Sequence, residues 1–172
     1  MKRVALNLFF GAAMAVTAVH AQNRMSEETK AAYQPLKANL LKAAEKMPDS
    51  EYGFQPTPEV RTFGQLIAHA AEAQMAICGI AKGVPPKRAN SDPKTSKADL
   101  IAELKASNEY CDAIYNTMTD QAGAEVVKTP FFGPKPKLGI LTFNNEHDAE
   151  TYGTIAVYLR MKGIVPPSSE TK

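Results

Sequence analysis

Much is missing from this 172-residue sequence, and each absence narrows the reading. Charge of either sign is not in excess, with 20 basic residues against 18 acidic. Nucleic-acid binding needs Lys and Arg clustered against phosphates, and no basic stripe is present. No apolar run reaches the roughly 20 residues that a membrane-spanning helix needs. The motifs G-x-S-x-G, G-x-x-x-x-G-K-[ST], H-E-x-x-H and G-x-G-x-x-G are all absent, which removes the commonest hydrolase, nucleotide and zinc-protease signatures. Internal repeats and low-complexity segments are also lacking. Cysteines number two and histidines three, so any metal or thiol chemistry must be built from very few side chains.

The first residues are organised differently from the rest. Met1-Lys2-Arg3 carries positive charge, and Val4 to Val19 is apolar without an acidic residue before Val19-His20-Ala21. This pattern predicts a secretory signal peptide over 1–21, cleaved after Ala21, and hence a periplasmic or secreted protein. A membrane anchor is the competing reading, but the run is short for one. Losing Lys2 and Arg3 brings the basic residues level with the 18 acidic ones. The remaining 150 or so residues form one ordinary domain, 22–169, long enough to bury its own core.

Four helical segments follow one another. The first, from a cap at Ser26 to Pro48, is rich in Ala, Leu, Lys and Glu, and Pro35 within it predicts a kink or a start delayed to about that residue. The second is capped by Thr62 and carries Phe63, Leu66, Ile67, Ala70, Ile77 and Ile80 on one face before Gly83. A stiff connector, "GVPPKRANSDPK", leads to a third helix from Thr95 or Ser96, with its apolar stripe through Leu100, Leu104, Cys111, Ile114 and Tyr115. "EVVKTPFFGPKPK" reads as a loop or short hairpin. The fourth helix runs from about Lys137 to Lys162. With the period of about 100° per residue, Ile140, Phe143, His147, Thr151, Thr154, Tyr158 and Met161 share one face, which predicts that His147 points inward. Four amphipathic helices without convincing strands predict an all-α, four-helix bundle. The final "SSETK" reads as a disordered tail, with 170–172 beyond the domain.

The cysteines act as a ruler. Cys78 lies about 24 Å into the second helix and Cys111 about 22 Å into the third, at 1.5 Å per residue. Those depths match only if the two helices run parallel, so a Cys78–Cys111 disulfide, natural in an exported protein, implies a crossover connection. Two buried thiols are the alternative.

His69 and His147 are the histidines left after cleavage, and each is followed three residues later by Glu, in "HAAE" and "HDAE". Two helices presenting imidazole and carboxylate in this way could share a divalent ion. Each histidine could equally be a satisfied structural residue. Glu72 points away from its apolar stripe and reads as solvated, whereas Glu150 remains a candidate ligand.

"FQPTPEVRTFGQLIAHAAEAQ", "NEYCDAI" and "HDAETYGTIAVYLRMKGIVPPSS" together resemble the DinB-like superfamily across about residues 29–169. The resemblance implies an up-down-down-up bundle with parallel second and third helices. It also implies a divalent metal, Zn or Ni, held by three histidines, one on the second helix and two spaced four apart on the fourth. Carried over by position, these are His69, His147 and Thr151, where threonine replaces the expected third imidazole. Relatives include thiol-dependent transferases or isomerases, and hydrolases. Two expectations therefore stand: a degenerate bundle with weak or no metal that binds a small molecule or a partner in the cleft the lost site leaves, or a metal-dependent transferase or hydrolase with Glu150 as a base. Relatives often form homodimers, and nothing in this sequence marks a dimer face.

Overall fold

The computed structural model describes residues 23–85, 96–130 and 133–170. Four long helices, α1 (Arg24–Lys46), α2 (Phe63–Lys82), α3 (Lys97–Thr117) and α5 (Lys137–Met161), build the bundle. A single-turn helix, α4 (Asp120–Gly123), and a two-residue antiparallel ladder, β1 (Val126–Val127) with β2 (Lys135–Pro136), lie between α3 and α5. The candidate signal peptide and most of the extended connector fall outside the described residues.

Side-chain bonds fix the helix directions. Gln74 meets Ser107, and Cys78 meets Cys111 one turn further along both helices, so α2 and α3 run parallel. Lys37 pairs with Asp112 while Lys105 pairs with Glu45, so α1 and α3 are antiparallel. The Asn145 side chain donates to the Thr29 carbonyl (2.9 Å) and Lys46 to that of Val165 (2.8 Å), placing α1 parallel to α5. Tyr158 donates to the Arg61 carbonyl (2.9 Å) while His69 meets His147, so α2 and α5 are antiparallel. This is the up-down-down-up order, and the Cys78–Cys111 disulfide, which implies parallel second and third helices, is present with a Cα–Cα separation of 5.5 Å.

Local chemistry sets the helix ends. Thr62 accepts from the Gln65 amide and the Gln65 side chain accepts from the Thr62 amide, a complete capping box that satisfies two otherwise orphaned donors. Ser96 caps α3 through the Asp99 amide. Gly83 (φ 82°) and Gly163 (φ 72°) take the left-handed conformation that closes α2 and α5. Helix α1 departs from expectation. Its cap is Asn23 rather than Ser26, and the amides of Met25 and Ser26 instead donate to the Asp120 carboxylate at 3.2 and 2.7 Å. A cap supplied from a distant residue is invisible to local patterning. With its first turn held in this way, α1 runs unbroken through Pro35, so the delayed start does not occur. Pro35 and Ala31 both lie on the exposed face, where water can take the carbonyl that proline leaves unbonded.

At the other end, residues 168–170 are not loose. Tyr152 donates to the Ser168 hydroxyl (2.9 Å), Arg160 bonds Ser169 (2.8 Å) and Lys46 pairs with Glu170 (2.6 Å). Residues 171 and 172 lie outside the described residues.

The core is divided along its length. One apolar cluster gathers Leu40, Phe63, Ile67, Leu104, Ile155 and Leu159; the other gathers Tyr33, Ile77, Cys78, Cys111, Ile140 and Leu141. Between them along α2, α3 and α5 lies a layer of buried polar residues: Gln74, Ser107, Asn144, Asn145 and Asp148.

Candidate functional site

The histidines lie beside this polar layer. Sequence periodicity centred the inner face of α5 on His147. Ile140, Thr151 and Tyr158 of that face are buried as expected, but the buried side chains run on through Leu141, Asn144, Asn145, Asp148, Tyr152, Ile155 and Leu159, so the buried face as a whole is centred roughly 100° from His147 at 100° per residue. His147 sits at its edge, half-buried, while Thr154 and Met161, expected inside, are exposed. Asn144, Asn145 and Asp148 are polar and do not register in an apolar periodicity, which turns the expected face away from the true one.

From that edge His147 still meets His69, also half-buried, across the α2–α5 seam. Their Nε2 atoms are 3.0 Å apart, with ring centroids at 4.8 Å and planes inclined by 62°. Both imidazoles are shifted toward the neutral form. For His69 the cause is burial first, then the charges of Arg61 and His147, against an opposing pull from Glu150. For His147 it is burial, with Glu150 opposing and Arg61 reinforcing. Two neutral imidazoles at this distance share one hydrogen bond, one Nε2–H donating to the other Nε2. The His147 Nδ1 is buried without a partner among the described residues. A buried acceptor is left unpaired more readily than a buried N–H, so His147 is best assigned as the Nε2–H donor and His69 as the acceptor.

The pair can also be tested against a divalent ion. Two nitrogens each about 2.0–2.1 Å from one ion, at angles of about 90–110°, lie roughly 2.9–3.4 Å apart. The observed 3.0 Å spacing falls within this range. The number of donors falls short. Thr151 occupies the expected third position with a buried side chain, but a neutral hydroxyl is a poor ligand beside imidazole. Glu150 is exposed, as is Glu72. Among the described residues no group of three or more His, Cys, Asp or Glu side chains is arranged to hold a metal ion. Nor is His147 braced from behind: a ligating histidine ordinarily gives its second nitrogen to a carboxylate or carbonyl, and here that nitrogen has none. The residues present therefore fit a shared ion in position but not a firmly held one in number.

Beside the pair runs a hydrogen-bond chain not anticipated from the sequence. Ser107 donates to the Gln74 Oε1 (2.7 Å), and Gln74 Nε2 donates to the Asp148 Oδ2 (3.0 Å), which also accepts from Asn144 Nδ2 (3.2 Å). Tyr115, stacked on Tyr33 with centroids 4.2 Å apart, donates to the Asn145 Oδ1 (2.7 Å) or the Leu141 carbonyl (2.9 Å). Burial pushes the Asp148 carboxyl up to about 7, against the lowering effect of Gln74 and Asn144. The available clue was Asn144, Asp148 and Ile155, spaced at i, i+4 and i+11 on one face. A cleft of about 430 Å³ lined by Ile80, Val84, Val127, Lys128 and Pro130 lies toward the far end of α2 and does not include the histidines.

Residues 32–155 match the model of the DinB superfamily. The fold is similar to that of a DinB-like protein from Bacillus cereus (TM-score 0.70, 19% identity, 82% of this chain and 95% of that one). It is also similar to a DinB-like protein from Bacillus subtilis (TM-score 0.66, 17% identity, covering 87% and 95%). A mycothiol-dependent maleylpyruvate isomerase is similar over 76% of this chain and 60% of its own (TM-score 0.63, 16% identity). No curated protein sequence matches the chain.

Proposed function

The chain belongs to the DinB superfamily, and from that premise we propose that it is an exported bundle whose metal site has been reduced to two imidazoles. In this reading it holds a divalent ion such as Zn or Ni weakly or not at all. It has little or no catalysis of its own and serves as a binding module for a small molecule at the α2–α5 seam. The single observation that carries this is the 3.0 Å contact between His69 and His147, with Thr151 standing where a third imidazole would complete the shell. A bound ion of this kind would supply Lewis acidity; the chain's own contribution is to orient two nitrogens and to leave the remaining positions to water or ligand.

Export is supported by the basic-then-apolar leader in the sequence and by the buried Cys78–Cys111 disulfide, since such bridges form and persist in oxidising compartments. Among the described residues no helix is long and apolar enough to cross a membrane. The even charge balance argues against a nucleic-acid partner.

A second reading, a metal-dependent transferase or hydrolase, draws on one specific feature: the Glu150 charge is felt by both imidazoles, which makes its carboxylate the candidate base. Metal analysis of protein purified without a histidine tag separates the two. Substoichiometric metal after equilibration with Zn²⁺ or Ni²⁺ is expected. A full equivalent that is lost in His69→Ala would overturn the reduced-site reading in favour of the enzyme.

A further inference from the structure

The His147 ring is not held from behind by any hydrogen bond, since its Nδ1 lacks a partner among the described residues. Its meeting with His69 must therefore be set by where the α5 backbone places it, and that in turn by the register of α5 against α2. Beside the partly buried Tyr158–Arg61 contact near the start of α2, the chain through Gln74 is the fully buried polar contact between α2 and α5 among the described residues. Gln74, Ser107 and Asp148 are all 0% exposed. Asp148 adjoins His147 in sequence, and Gln74 lies about a turn and a half beyond His69. The chain crosses three helices in sequence, Ser107 of α3 to Gln74 of α2 to Asp148 of α5, at 2.7 and 3.0 Å.

The surrounding core cannot do this as well. Apolar contacts carry no directional requirement, and the two apolar clusters lie on either side of this layer rather than in it. A buried amide has no such freedom. Moving α5 along α2 by even part of a turn would leave the Gln74 amide and the Asp148 carboxyl desolvated and unbonded.

We propose that Gln74 and Asp148 are positioning residues: they form a register clamp that brings the Nε2 atoms of His69 and His147 together, replacing the hydrogen bond that would ordinarily orient the His147 ring from behind. The clamp rests on the two-imidazole site described above but not on metal being bound there, so its failure and that of the metal reading are separable.

The test reads the imidazole–imidazole hydrogen bond itself, in the metal-free full chain, as the solvent-protected Nε2–H and its coupling to the facing nitrogen in ¹⁵N-detected histidine spectra. Gln74→Met keeps the volume and removes both bonds; the signature is expected to disappear while far-UV circular dichroism stays helical. Asp148→Asn keeps an acceptor for the Gln74 amide, and the signature is expected to persist. Ser107→Ala frees only the α3 end of Gln74 and is expected to weaken it. Persistence of the signature in folded Gln74→Met, or its loss in folded Asp148→Asn, overturns the proposal. If Gln74→Met does not fold, Ser107→Ala decides, and an unchanged signature there overturns it as well.

Discussion

Replacing Asp148 by Asn should change how stability depends on pH, by an amount that its burial sets. The carboxyl is 0% exposed, receives two amide donors on Oδ2 and has no partner on Oδ1 among the described residues. Its folded value is pushed by burial from 3.8 to about 7, with Gln74 and Asn144 pulling the other way. Because the folded value lies above the unfolded one, the native state holds the extra proton between about pH 4 and pH 7. The contribution of Asp148 to stability is therefore complete below about pH 4 and is lost as pH rises through 7. Over the whole window this amounts to about 4 kcal/mol, or roughly 1.4 kcal/mol per pH unit. The asparagine does not titrate, so urea denaturation of both proteins from pH 5 to 8.5 should show the variant gaining on the wild type at about that rate, then levelling. His69 and His147 have lowered folded values, so both proteins lose stability as pH falls below about 6.5. That term is common to the pair and cancels in the difference. A difference that stays flat from pH 5 to 8 would refute the reasoning, because it would mean that Asp148 is solvated or paired in the folded state.

Three further outcomes follow from the packing. Replacing Cys78 and Cys111 together by alanine opens a loop spanning 33 residues and should lower the stability measured by urea denaturation by roughly 3 to 4 kcal/mol on the chain-entropy model. Gly123→Ala should destabilise by about 1–3 kcal/mol, since a Cβ there would stand 2.3 Å from the Leu138 Cγ at the start of α5; a thermal midpoint equal to the wild type would contradict this. Thr62→Ala breaks the capping box at the start of α2 and should cost about 1 kcal/mol, with Thr62→Ser recovering most of it.

The architecture was legible where local chemistry decides it. Thr62, Ser96, Gly83 and Gly163 punctuate the helices as their side chains and backbone freedom require. The matched depths of Cys78 and Cys111, once the two are bridged, order α2 and α3 in parallel. Legibility failed where a distant group overrides the local one. Asp120 holds the first turn of α1 in place of the Ser26 hydroxyl, and Lys46 with Tyr152 holds residues 168–170.

The site was half legible. The pairing of His69 with His147 could be anticipated from their spacing on separate helices and from the family resemblance. Its position at the edge of the α5 inner face could not, because Asn144, Asn145 and Asp148 look solvent-facing until Gln74, Tyr115 and Thr29 are brought opposite them. Periodicity measures apolarity, and here the middle of the core is polar.

The claim on which the functional account turns is that two nitrogens already converge at the α2–α5 seam and only a third is missing. Competition titration of Zn²⁺ and Ni²⁺ against a chromogenic chelator, comparing the wild type with Thr151→His, tests it most directly. The account predicts one ion per folded Thr151→His chain, bound about two orders of magnitude more tightly than by the wild type, a difference of roughly 3 kcal/mol. A folded Thr151→His protein that binds neither ion more tightly than the wild type would contradict it.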